Sequence, residues 1–291
     1  MAHQQLYHET DGRARWVTSV VVEDPDRYEL EEYRGIDIFE PGTQIEREVD
    51  WDTLFRVLLF TGASLGLTVI VLVVIMIPLI AARMIFVDMA TFEIFYAPWA
   101  MLFLSLSELG FLVPPVLYAR RRHLPLSSIG LKSPAPAKDI ALGLGVGMAM
   151  LAANYAVTTA VNWLIEVLSG RQVSSSGSLF ATSGYAEVVA WIVVMFVVVG
   201  FSEETVFRGF LQRRMEIYFR GRSIRYKTIS IVLTSVIFAA AHLDPSGLPS
   251  LFTLSLFLGY LAQKRRYSVL GPAVAHGFNN AMVVVLTALG F

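Results

Sequence analysis

Glu203, Glu204 and Arg208 stand at the end of an apolar run from Val188 to Gly200. An ionisable residue inside a bilayer costs at least about 2.5–3.5 kcal/mol on insertion scales, so charges there point to function before decoration. On a helix, residues four apart share a face while neighbours diverge by about 100°. Glu204 and Arg208 can therefore pair. Glu203 points elsewhere and needs water, a proton, a metal or a second polar helix.

Partners for that carboxylate are few. Downstream apolar stretches contain Phe238-Ala239-Ala240-Ala241-His242 and His276-Gly277-Phe278-Asn279-Asn280, each an i, i+4 pair on one helical face. If the chain reverses at Arg220-Gly221-Arg222-Ser223, His242 and Glu204 fall at equal depth on an antiparallel hairpin. Glu203 lies ten residues before Arg213 and His276 ten after Arg266, which at about 1.5 Å per residue puts both roughly 15 Å in. Taken singly, a membrane histidine is an interhelical hydrogen-bonding residue and Glu204–Arg208 a packing pair. Together, a free carboxylate, two histidines and an asparagine on three stretches point to one cytoplasm-facing polar site.

The elements that must position these residues are membrane spans. The 291-residue chain is 55% hydrophobic and 16% charged, with a mean hydropathy of +0.58, which identifies an integral membrane protein. Apolar runs give about seven spans: Val57 to Ala82; Phe95 to Tyr118, with Glu108 inside it and Pro114-Pro115 near its end; Ile140 to Leu168; Glu187 to Arg213; Ile229 to Leu243; Leu248 to Ala262; and Leu270 to Leu289. Proline can kink the second span. Gly143, Gly145 and Gly147 offer the third a smooth face for close contact. The fold class is thus an all-α, polytopic transmembrane helix bundle.

Residues 1–53 form an acidic soluble segment, with fourteen Asp and Glu against five Arg up to position 52. They lack the basic start and apolar core of a signal peptide. Trp16 to Val22, the Glu23-Asp24-Pro25-Asp26 turn and the Tyr28 to Tyr33 run can form a β-hairpin, the alternative being a partly ordered tail. Residues 54–291 form the transmembrane domain. Fourteen Lys and Arg lie after spans two, four and six, among them Arg213 and Arg214, against Arg83 and Arg171 in the alternate loops. The positive-inside rule then places the N-terminus in the cytoplasm, across a plasma or inner membrane, and the C-terminus outside. The chain has no cysteine, so disulfides and thiolate metal sites are excluded.

Glu203-Glu204-x-x-x-Arg208, Phe238-x-x-x-His242 and His276-x-x-x-Asn280, in that order and on separate spans, resemble the CPBP (Abi) intramembrane proteases, the family of the type II CAAX prenyl endopeptidase. The resemblance covers about residues 130–291 and includes Ile129-Gly130-Leu131 after a basic loop; the leader and first span inherit nothing from it. It implies that Glu203 and His242 activate a water, that His276 and Asn280 stabilise the oxyanion, and that Glu204 and Arg208 support them. The substrate it implies is a membrane-associated peptide, prenylated or a C-terminal sorting peptide. A partially desolvated carboxylate suits general-base work, and fixed donors suit a developing oxyanion.

Glu203, His242 and His276 are also a two-His, one-carboxylate set for a catalytic zinc. The resemblance favours the glutamate mechanism with no cofactor. Two readings of other classes stand beside it: a proton-coupled transporter, which should show repeats that this sequence lacks, and a non-catalytic immunity or peptide-binding membrane protein. Expected partners are the lipid bilayer and a membrane-associated peptide or protein, with no nucleic acid.

Overall fold

The computed structural model describes residues 2–8, 14–20, 49–89, 94–170 and 182–290. Among them seven helical stretches follow in order: α1 (Trp51–Ala81), α2 (Ala100–Arg121), α3 (Pro136–Ser169), α4 (Tyr185–Arg220), α5 (Tyr226–Ala241), α6 (Leu248–Lys264) and α7 (Leu270–Ala288). Each falls on one of the seven apolar runs. The first four are long and apolar enough to cross a membrane, and α5 is a shorter apolar helix.

Asp50 starts α1: its carboxylate accepts a hydrogen bond from the Thr53 amide at 2.9 Å, satisfying a donor that the first turn leaves open. Along α1, Leu54, Val57, Thr61, Ser64 and Thr68 are buried at helical spacing. Val69, Ile70, Val73, Val74 and Ile77 stay exposed, which suits a helix with one face on protein and the rest on lipid.

Two small antiparallel hairpins accompany the helices. In the first, β1 (Ala2–His8) pairs with β2 (Ala14–Val20). The expected strand over Trp16 to Val22 is thus largely present, but its partner precedes it; the Tyr28 to Tyr33 run lies outside the described residues. In the second, β3 (Ile85–Val87) pairs with β4 (Ile94–Tyr96), taking Phe95 out of the expected second span. Aromatic and β-branched residues favour a strand there. Pro98 disfavours helix for the residue before it, so α2 begins only at Ala100.

The proline pair also shapes α2. Pro114 and Pro115 lack amide donors and sit in the first turn of the α-helical part Val113–Arg121, while Leu106–Leu112 winds as 3₁₀ helix. Glu108 is carried on that tighter turn.

Small residues let α7 enter the middle of the bundle. A Cβ at Gly143 on α3 would sit 2.6 Å from the Gly271 carbonyl, and one at Gly147 would sit 3.0 Å from the Ala275 carbonyl. Gly145, expected on the same face, meets nothing within 4 Å, because two residues along a helix is over half a turn away. On its other side α7 meets α4, where a Cβ at Gly277 would lie 2.7 Å from the Phe196 Cα.

Helix α4 is shared by two cores. Phe207 and Phe210 pack with Val57, Tyr118 and Phe238, while Trp191 and Met195 pack with Leu102, Ala281 and Val284. Within α4, Met195–Val199 and Thr205–Gln212 wind as π helix on either side of Gly200–Glu204. Such widened turns recur where a helix carries functional side chains. The helix also runs on to Arg220, so Arg213 and Arg214 are not loop residues. Both are buried: Arg213 donates to the Ser127 carbonyl at 3.0 Å and Arg214 to the Phe210 carbonyl at 3.0 Å. They tie α4 to the 3₁₀ turn at Leu126–Ile129.

Candidate functional site

The acidic turn Gly200–Glu204 lies against α7, and its two glutamates are buried for different neighbours. Glu204 is wholly buried. Its Oε2 meets Arg208 Nε in an ion pair at 3.0 Å, and its Oε1 meets His276 Nδ1 at 3.0 Å. Arg208, also wholly buried, donates from Nη2 to Ser255 Oγ on α6 at 3.1 Å, and its guanidinium carbon lies 4.9 Å from the centre of the Phe238 ring. One buried charge pair thereby joins α4, α6 and α7, with an aromatic face from α5 beneath the cation.

Glu203 faces α5. Its Oε2 is buried, has no hydrogen-bond partner among the described residues, and lies 4.0 Å from His242 Nε2. That histidine follows the last residue of α5, and its side chain is about a third exposed. Its Nδ1 lies 2.8 Å from the Phe238 carbonyl oxygen, an acceptor only, so Nδ1 donates that bond and Nε2 is the nitrogen turned towards Glu203. The Phe238 ring packs on His242 at 4.7 Å and meets His276 edge-on at 5.9 Å, between the two imidazoles.

On α7, Asn280 lies one turn beyond His276 and is half-buried. Asn279 Nδ2 donates to Asn280 Oδ1 at 3.1 Å, which occupies the Asn280 carbonyl and leaves its amide hydrogens for another acceptor.

Sequence spacing anticipated the Glu204–Arg208 pair and the approach of Glu203 to His242. It put His276 beside Glu203, whereas His276 Nδ1 bonds Glu204. The difference follows from α7 packing through Gly277 onto the α4 backbone, which presents His276 to the glutamate on the Arg208 face. This bears on the zinc set Glu203, His242 and His276: among the described residues, no group of three or more His, Asp or Glu side chains is gathered to hold a metal ion.

Three contributors were missed. Ser255 gives no signal, being a hydroxyl on a helix without other chemistry. Asn279 stood in the motif beside Asn280 but drew no role. Glu108 was visible as a charge in a span, and the fold packs its turn, Leu106–Leu112, against Gly200–Glu204.

Residues 185–282 match the family model described as type II CAAX prenyl endopeptidase Rce1-like. This block holds all seven motif residues from Glu203 to Asn280, and the model that matches it is of the family named from them. The resemblance was expected from about residue 130; residues 130–184 lie outside the match. No curated protein and no solved structure matches the chain.

Proposed function

We propose that this membrane protein, carrying the Rce1-like block at residues 185–282, is an intramembrane endopeptidase that hydrolyses a peptide bond of a membrane-associated peptide. The observation that carries the reading is the 4.0 Å gap between Glu203 Oε2 and His242 Nε2. It is too long for a direct hydrogen bond and suits a water bonded to both groups.

In this reading Glu203 takes a proton from the water as its oxygen attacks the substrate carbonyl. His242, held by the Phe238 carbonyl, accepts the water's other hydrogen bond and orients it. The new oxyanion takes hydrogen bonds from the Asn280 amide and from His276 Nε2 in its protonated form. Collapse breaks the C–N bond, and the proton held by Glu203 passes to the leaving amine. Glu204 fixes the His276 ring through Nδ1, and Arg208 balances its charge.

The site is taken to open to the cytoplasm, with all seven helices as spans. Prenylated CAAX tails and C-terminal sorting peptides are the two substrate classes to compare. Purified protein in liposomes, given peptides of each class, should release a defined fragment by mass spectrometry. Glu203→Gln and His242→Ala should each reduce the rate by roughly 10²–10⁴-fold. Full cleavage by the Glu203→Gln protein would remove Glu203 from the mechanism.

A further inference from the structure

Arg208 and Glu204 are both wholly buried, yet they do not meet as a fork. A guanidinium and a carboxylate commonly pair through two parallel N–H···O bonds. Here Arg208 Nε reaches Glu204 Oε2 at 3.0 Å, and neither atom has an aligned hydrogen-bond partner among the described residues. Nη1 has none either. The hydrogen bond that the guanidinium does make runs from Nη2 to Ser255 Oγ at 3.1 Å. Nη2 is the nitrogen that would join Nε in a side-on fork, so Ser255 occupies the donor that Glu204 would otherwise take.

Ser255 is fixed by α6 itself. Arg208 and Ser255, Gln212 and Gly259, and Glu216 and Gln263 are each 47 residues apart in the chain, so α6 runs beside α4 in the same direction and in one register. Gln212 Nε2 donates to the Gly259 carbonyl at 2.9 Å, and Gln263 Nε2 donates to Glu216 Oε2 at 2.7 Å. The helices are close at the middle rung, where a Cβ on Gly259 would lie 2.9 Å from Gln212 Oε1. On another side of α6, Leu254 and Leu258 pack with Met150 of α3 and Ala275 of α7. A short hydroxyl on a helix held this way is an acceptor in a set place, and the long Arg208 side chain turns to meet it.

We propose that Ser255 is a positioning residue for the reaction: by holding Arg208 Nη2 it keeps the guanidinium from chelating Glu204 and leaves Glu204 Oε1 to His276. The contact it protects is the 3.0 Å approach of Glu204 Oε1 to His276 Nδ1, which fixes the His276 ring. Without the Ser255 hydroxyl, Nη2 becomes a buried donor with no acceptor, which is costly, and the carboxylate already beside Nε is that of Glu204. Turning Nη2 onto Glu204 closes the fork and draws the carboxylate off His276. The His276 Nε2 then leaves the place where the oxyanion forms.

The kinetic part of this role rests on the peptidase reading, whereas the contact itself does not. In Ser255→Ala protein kcat should fall by about 10–10²-fold with KM unchanged, and Ser255→Thr, which keeps the hydroxyl, should restore it. An unchanged kcat in Ser255→Ala, or an equal loss in Ser255→Thr, overturns the role while Glu203→Gln remains inactive. Activity in Glu203→Gln instead overturns the peptidase reading.

Nitrogen-15 NMR of histidine-labelled protein in detergent reads the contact without any cleavage. The His276 Nδ1 resonance, identified by its loss in His276→Gln, should move in Ser255→Ala and return in Ser255→Thr. A resonance that stays in place in Ser255→Ala overturns the proposal, whatever the activity. Ser255→Cys covers the case where Ser255→Ala does not fold, because a thiol is similar in size and only a weak acceptor. The resonance should move there too, and one that does not move overturns the proposal.

Discussion

Glu204 Oε1 lies 3.0 Å from His276 Nδ1 while Glu204 Oε2 lies 3.0 Å from Arg208 Nε, so one buried carboxylate binds α4 to α7 and holds its own counter-charge. Its neighbour Glu203 is left for His242. The doubled glutamate is two different groups, one structural in its contacts and one with an unpartnered oxygen.

Replacing Glu204 therefore damages stability as well as rate. Glu204→Ala strands the Arg208 guanidinium in a fully buried place, and breaking a buried pair from one side costs about 3–5 kcal/mol. Thermal unfolding in detergent should show a large loss for Glu204→Ala and for Arg208→Ala. The double variant should lose less than the sum of the two. Additive losses would mean that the pair is not coupled.

The adjacent asparagines should separate cleanly. Asn280→Ala removes the proposed oxyanion donor and should lower kcat by about 10²–10³-fold with little change in KM. Asn279→Ala removes only the bond that occupies the Asn280 carbonyl, and should cost less, on the order of 10-fold. Equal losses would place both amides in contact with substrate.

Gly277 sets how closely α7 approaches α4. Gly277→Ala puts a Cβ 2.7 Å from the Phe196 Cα, and overpacking of this kind costs typically about 1–3 kcal/mol. Gly145→Ala meets open space and should leave unfolding and cleavage unchanged. A Gly277→Ala protein as stable and active as the wild type would contradict the α4–α7 contact.

What could be read in advance follows from what leaves a local trace. Apolar length marked all seven helices, and i, i+4 spacing marked Glu204 with Arg208, because both are properties of one helix. Contacts between helices left weaker traces. Which glutamate His276 meets depends on how α7 rotates against α4, which Gly277 and Gly200 decide together. The strand at Ile94–Tyr96 was hidden by its hydrophobicity, which suits a span and a hairpin equally. Arg213 and Arg214 resembled loop charges because nothing local shows that their partners are carbonyls some eighty-six residues earlier in the chain. Glu108 was visible, but the packing of its turn against Gly200–Glu204 exists only in three dimensions.

Chelation addresses the donor set directly. Because Glu203, His242 and His276 are not gathered as ligands, cleavage should survive exhaustive chelator treatment. Stoichiometric zinc by elemental analysis, lost together with activity, would contradict this arrangement of the site.

The central claim is that Glu203, across from His242, activates the water that cuts a peptide. Its most direct test is mass spectrometry of a membrane-associated peptide incubated with wild-type and Glu203→Gln protein in liposomes, run in water enriched in ¹⁸O. The account predicts one fragment from the wild type with ¹⁸O in its new carboxylate, and none from Glu203→Gln protein of equal thermal stability. Equal cleavage by both proteins, or no cleavage of any membrane peptide by the wild type, would contradict it.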